Sequence, residues 1–189
     1  GSPDFSKFPT GAVTFLMTDI ERSTRLAERL GDGYAPLLKD VRTLVRDAGR
    51  RHGGRRVDSH GDEYLTVFET AEGAIEAAIE IQRSLAVRRW PGKIGCRVRA
   101  GIHTGRPTLT ESGYVGIAVN TVSRVCYVGH GGQIVVSSAT RTAVAPSLPD
   151  GVRFASLGRH RLSGLSRPVS LYQVRADGLS ETFPALRIG

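Results

Sequence analysis

The chain has 189 residues, 40% of them hydrophobic, with 26 Lys and Arg against 18 Asp and Glu for a formal charge of +8. That length and apolar content suit one domain of mixed helix and strand with its own core, exclude global disorder, and contain no run near the ~20 apolar residues needed to cross a bilayer. Cys96 and Cys126 form no disulfide framework and read as reduced thiols of a cytoplasmic protein, while scattered arginines with only Lys7, Lys39 and Lys93 beside them read as a solvated basic surface, with no nucleic acid or membrane expected as a partner.

Gly1 to Phe5 has the composition of a cloning remnant, so residues 1–9 are expected to be a tag or disordered N-terminus, 10–175 a catalytic domain and 176–189 a C-terminal tail. Val13 to Thr18 reads as a buried strand. From Ser23 to His52 apolar residues recur at helical spacing (Leu26, Leu30, Leu37, Val41, Val45, Ala48), interrupted at Gly31 and Gly33 and stopped at Gly53-Gly54. Arg55 to Ser59 and Glu63 to Phe68 read as two strands turning at His60-Gly61, with Asp62 at the tip. Ala71 to Val87 is an amphipathic helix ended by Trp90-Pro91-Gly92. Cys96 to His103 alternates as a strand, Thr108 to Gly113 is a polar turn, and Ile117 to Val128 is helical up to the glycines from Gly129 to Gly132. Ile134 to Val136 is a short strand, Ser138 to Val144 a helix, and Val152 to Arg161 with Pro168 to Val174 a closing pair. The order is βαββαβ followed by αβαββ. It predicts an α+β fold with a ferredoxin-like βαββαβ core, an antiparallel sheet and a C-terminal αββ extension.

Within this frame, Phe15 to Thr24 carries the most chemistry. An apolar run ends in Asp19, and a helix start follows at once, so Ser23 and Thr24 present free backbone N–H groups beside a carboxylate. Such a corner can hold a metal ion and a polyphosphate together. Asp62 sits in a second strand-end context, and the two carboxylates suggest two-metal nucleotide chemistry. Read alone, each could instead be a helix cap or a turn residue. Asn120 and Arg124 lie four apart, on one face of a helix. No His or Cys pair has zinc-ligand spacing, and His60 reads as a turn residue.

Phe15 to Thr24, Gly61-Asp62, Arg99 to Gly105 and Val119-Asn120-Thr121-Val122-Ser123-Arg124 stand in the order found in class III nucleotidyl cyclases, and the chain resembles one bacterial, actinobacterial-type cyclase homology domain. The resemblance implies an adenylyl cyclase that converts ATP to 3′,5′-cyclic AMP and pyrophosphate. It makes Asp19, Asp62 and the Ile20 carbonyl ligands of two Mg²⁺ or Mn²⁺ ions per site. Asn120 would position the ribose, Arg124 would neutralise charge on the α-phosphate, and Arg99 would contact the terminal phosphates. It further implies a head-to-tail homodimer, because the metal aspartates and the Asn/Arg pair of one site come from different subunits of the family's dimers.

The sequence departs from the family at three places. Asp58 and Gly113 occupy the base-selecting positions, where adenylyl cyclases usually carry Lys and Asp or Thr. A carboxylate there can accept from guanine N1–H and N2–H₂, so a guanylyl cyclase using GTP is an alternative. Ser163 stands where a phosphate-binding lysine is expected, with Arg161 or Arg167 as substitutes, and Tyr127 is larger than expected. A degenerate, nucleotide-binding regulatory domain is the further alternative. The turn Gly61-Asp62-Glu63-Tyr64 is also similar to that of diguanylate cyclases, but Asn120 and Arg124 argue against that family.

Overall fold

The computed structural model describes residues 3–91 and 94–189. The first strand, β1 (Val13–Ile20), is buried at every position because helices cover both faces of the sheet. It is followed by α1 (Ser23–Leu30), a 3-10 turn at Gly31–Gly33, and α2 (Tyr34–Arg51). The interruption falls on the two glycines, and Gly31 takes the positive φ of 53° that glycine accepts without strain. The hairpin β2 (Arg55–His60) and β3 (Glu63–Phe68) leads into α3 (Ala71–Val87), whose first turn is capped by the Thr70 hydroxyl accepting from the Gly73 N–H at 3.1 Å. Then come β4 (Val98–Gly105), α4 (Ile117–Tyr127), β7 (Ile134–Ser137), α5 (Ser138–Val144), β8 (Arg153–His160) and β9 (Val169–Arg175). Among the described residues no helix is long and apolar enough to cross a membrane.

Between β4 and α4 the expected polar turn is a small hairpin, β5 (Thr108–Thr110) with β6 (Gly113–Val115). The reason is Tyr114, a buried aromatic in an otherwise polar stretch, which packs edge-on against Phe15 at 5.2 Å and donates its hydroxyl to the Pro9 carbonyl. The same cluster corrects the expectation of a disordered 1–9. Phe5 is buried, meets Phe8 edge-on at 4.8 Å, and lies in a 3-10 turn capped by Asp4. Gly1 and Ser2, and the Gly92 part of the helix stop, lie outside the described residues.

Seven strands form one sheet in the order β2-β3-β1-β4-β7-β9-β8. Only β4 and β7 run parallel; the other neighbours are antiparallel. The first four strands and the helices between them are the ferredoxin-like core. On one face Leu16, Ile20, Ala100 and Ile102 pack against α2 and α3. On the other, Val13, Phe15 and Met17 pack against Ala118, Val122 and Cys126 of α4. A third cluster, Val125, Val135, Leu162 and Leu171, joins α4 to the closing hairpin. The C-terminal tail is pinned as well: the Gln173 amide donates to the Glu181 carbonyl at 2.9 Å, and the Arg187 N–H to the Val128 carbonyl at 2.8 Å.

Helix α4 lies so close to the sheet that a Cβ on Gly101 would sit 2.3 Å from the Cys126 backbone nitrogen. Gly101→Ala should therefore push α4 off β4 and cost about 3 kcal/mol, read as a lowered urea midpoint. His103, on the same strand, bonds Ser137 Oγ through Nδ1 at 2.7 Å, and burial pushes its pKa down to about 4. An unfolded histidine takes up a proton near pH 6.5, whereas this one stays neutral until about 4. Stability is therefore full above pH 6.5 and is lost as pH falls through this window, on the order of 1–2 kcal/mol by pH 5. His103→Gln should flatten that acid slope in chemical denaturation at pH 7 and pH 5.

Candidate active site

Strand β1 ends by placing Asp19 opposite Arg99 of β4. Both side chains are on the sheet face that α4 covers, and each residue is 8% exposed. The guanidinium grips the carboxylate with two bonds, Nε to Oδ1 at 2.7 Å and Nη2 to Oδ2 at 3.1 Å. Burial nevertheless raises the Asp19 pKa to about 6; Arg99 opposes that shift, while the charges of Asp62 and Glu63 add to it. Arg99 is thus a buried partner of the carboxylate, not a solvent-facing residue of the sheet.

Asp62 reaches the same place from the β2–β3 turn, where Gly61 adopts a φ of +60°. Its Oδ2 accepts the Ile20 N–H at 2.8 Å. The structure thereby brings Asp19, Ile20 and Asp62 together. Among the described residues no group of three or more His, Cys, Asp or Glu gathers around one point. The set consists of two carboxylates and the backbone at Ile20, hard oxygen donors that suit Mg²⁺ or Mn²⁺ and leave coordination positions for substrate oxygens. A cation bound here would offset the burial that chiefly raises the Asp19 pKa, and the smaller repulsion from Asp62 and Glu63. Helix α1 begins immediately beyond. Arg22 precedes it in the left-handed region (φ 56°, ψ 42°) with no side-chain cap, so the first-turn N–H groups at Ser23 and Thr24 are free of side-chain partners and suit an anion.

Two residues that the sequence reading did not single out support this corner. Arg42 of α2 donates through Nη2 to the Gly61 carbonyl, holding the turn that carries Asp62. Tyr34, at the start of α2, lies close enough that its phenol pKa is raised by burial and by the Asp62 charge, with the Ser23 side chain opposing. The only sequence signal for Arg42 was a cation within the apolar stripe of α2, one turn after Leu38.

Asn120 and Arg124 lie elsewhere, exposed on the outer side of α4. Ile117 (66% exposed) and Tyr127 (49%) stand on the same side of the helix. Among the described residues no hydrogen bond or ion pair joins Asn120 or Arg124 to Asp19 or Asp62. Tyr127 neither packs away nor stands free: the Arg99 guanidinium lies 5.5 Å and that of Arg187 4.8 Å from its ring centre. Asp58 is exposed on edge strand β2, beside a register shift between Arg56 and Asp58. Gly113 is buried at the start of β6 with a φ of +119°, and a Cβ there would meet the Phe5 ring at 3.4 Å. The two candidate base-selecting residues thus sit in different sheets, with no hydrogen bond between them. Ser163 is exposed in the β8–β9 connection.

An α+β domain of this topology, with two carboxylates meeting at the end of its first strand, falls in the class of nucleotidyl cyclase domains. The chain belongs to the adenylate and guanylate cyclase catalytic domain family, whose model matches residues 5–176. An uncharacterized protein of Mycobacterium tuberculosis is 36% identical over 184 residues, covering 95% of this chain and 61% of that protein. The chain therefore spans about three-fifths of that relative. The adenylate cyclase of Lachancea kluyveri is 31% identical over 155 residues, covering 69% of this chain and 8% of the yeast protein. A solved adenylate cyclase domain of Trypanosoma brucei, in its monomeric state, superposes with a TM-score of 0.85 at 25% identity, over 98% of this chain and 99% of that one. The adenylyl cyclase CyaB of P. aeruginosa shares the fold, with a TM-score of 0.77 at 23% identity over 88% of this chain and 95% of that one.

Arg42→Met removes the donor that fixes the Gly61 carbonyl. Supporting bonds of this kind typically matter about 10-fold or more in metal affinity. The expected result is Mn²⁺ binding weakened by about that factor in calorimetric titration, with the thermal midpoint little changed.

Proposed function

We propose that this domain converts ATP to 3′,5′-cyclic AMP and pyrophosphate in sites shared by two copies of the chain. The observation that carries the reading is the junction at Ile20, where Asp62 bonds the backbone N–H next to Asp19, at the foot of an uncapped helix. Asp19 and Asp62, with the Ile20 carbonyl, would hold two Mg²⁺ or Mn²⁺ ions, which when bound activate the ribose 3′-hydroxyl and neutralise the departing pyrophosphate. In the reaction the ribose 3′-oxygen forms a bond to the α-phosphorus, and the bond from that phosphorus to the pyrophosphate oxygen breaks.

The chain's own residues bind and orient. The N–H groups at Ser23 and Thr24 receive the phosphate chain. Arg99, which holds Asp19 through two bonds, would also contact the terminal phosphates. Asn120 of the partner copy holds the ribose, and its Arg124 stabilises charge building on the α-phosphate with a fork of donors that stays ionised. Sharing is supported by the exposure of Asn120 and Arg124, which among the described residues make no hydrogen bond or ion pair to Asp19 or Asp62. The outer side of α4, where exposed Ile117 and Tyr127 flank Asn120 and Arg124, offers an apolar rim to a second copy. ATP is preferred because adenylate cyclases, those of Lachancea kluyveri and Podospora anserina among them, are similar to this chain in sequence, while guanylyl cyclase domains share its fold.

The test is product formation from ATP and from GTP, in Mn²⁺ and in Mg²⁺, with Asp62→Ala as the blank. Cyclic AMP above the blank is expected. Cyclic GMP alone would overturn the choice of base and point to Asp58 and Gly113. Arg124→Ala should lower turnover by about 100-fold or more. Mixing it with Asp62→Ala protein should restore activity, since one of the two hybrid sites is intact. A mixture as inactive as its components would overturn the shared site.

A further inference from the structure

The C-terminal segment does more than close the fold. After β9 it runs back across the molecule, its Ala185 carbonyl accepting from His130 Nε2 at 2.8 Å and its Arg187 N–H donating to Val128 at 2.8 Å. Leu186 packs into the cluster that joins α4 to the β8–β9 hairpin. These contacts place Arg187 over the outer face of Tyr127, one turn beyond Arg124. They also form one wall of a cavity of about 410 Å³ lined by Arg124, Tyr127, Arg161, Ser163, Gly164 and Arg187, among others. No Asp or Glu side chain lines it. Among the described residues none of its three guanidiniums donates a hydrogen bond or forms an ion pair. Arg167, the other cation near Ser163 in sequence, is not part of the wall.

Three guanidiniums around one cavity, with no Asp or Glu side chain among them, make a region of positive potential that attracts an anion of high charge, although solvent screens their mutual repulsion because all three are exposed. We propose that this cavity binds the phosphate chain of a nucleoside triphosphate, with Arg187 supplying the positive charge that Ser163 lacks. The inference rests on the nucleotide reading above and extends it to a residue outside the cyclase motifs. Chain geometry explains how a serine is tolerated in the β8–β9 connection: the cation arrives from the C-terminal segment instead. Tyr127, the unexpectedly large residue of α4, acts as the platform that holds its stem.

The test uses the whole chain and two probes, inorganic tripolyphosphate in calorimetric titration and ATP in the cyclase assay. Arg187→Gln keeps the backbone anchors and most of the stem but removes the charge. It should weaken tripolyphosphate binding and raise KM for ATP by about 10-fold or more, with an unchanged thermal midpoint. Arg187→Lys should recover most of both, and Arg167→Gln should resemble wild type. Unchanged tripolyphosphate affinity in Arg187→Gln overturns the proposal, as does a lysine variant as impaired as the glutamine one. Tripolyphosphate binding that depends on Arg187 in a protein making no cyclic nucleotide would leave the site standing and remove the catalytic reading. Cyclic AMP formation indifferent to Arg187 would do the reverse. Mixing also locates the residue: Arg187→Gln should be complemented by Asp62→Ala, and not by Arg124→Ala, because the cavity serves the Arg124 half.

Discussion

A carboxylate buried at the end of a central strand is the constraint around which this domain is organised. Asp19 is almost fully enclosed, and a lone charge in such a place is costly. Arg99 meets that cost only because the antiparallel register of β1 and β4 puts the two residues directly opposite. The register in turn depends on the sheet faces. A slip of one residue would turn Asp19 toward the helices of the apolar face and Ile20 toward α4. Removing Arg99 alone would leave an uncompensated buried charge, the costly way to break such a pair. The strand therefore carries its chemistry and its packing in one alternating pattern.

The two faces have different roles. α2 and α3 seal one side with aliphatic side chains and hold the Asp62 turn from behind through Arg42. α4 seals the other with its inner side and turns Asn120, Arg124 and Tyr127 outward. The close approach at Gly101 fixes how far α4 stands from the sheet, and so how far Tyr127 stands from Arg99. Tyr127 thus links the outward face of α4 to the buried Arg99 pair through the helix that separates them.

Much of this was legible in the sequence. The apolar runs and the glycines at 31 and 33 mark real element boundaries, and the helix from Ala71 to Val87 lies where its periodicity puts it. The strand-end position of Asp19 and the turn position of Asp62 also followed from local pattern. What the pattern missed was tertiary. Tyr114 turns a polar stretch into a hairpin by packing on Phe15, a partner from the other end of the domain core that no local pattern announces. Phe5 looked dispensable because its neighbours are small and polar, yet it fills space against Gly113. Arg42, Arg187 and the cross-strand grip of Arg99 rest on contacts between distant segments, and a one-dimensional reading has no access to them.

The central place of β1 also bears on how the chain reaches this state. The first strand to be made is flanked in the finished sheet by β3 and β4, whose partner positions lie far along the chain, as Thr14 with Phe68 and Val13 with Gly105 show. Until both arrive, an eight-residue strand that the finished fold buries at every position has two open edges. Folding dominated by such distant pairings is slow, and its intermediates are prone to pair with the wrong chain. During synthesis, then, the stretch that later holds the charge at the heart of the site is the one most in need of shelter.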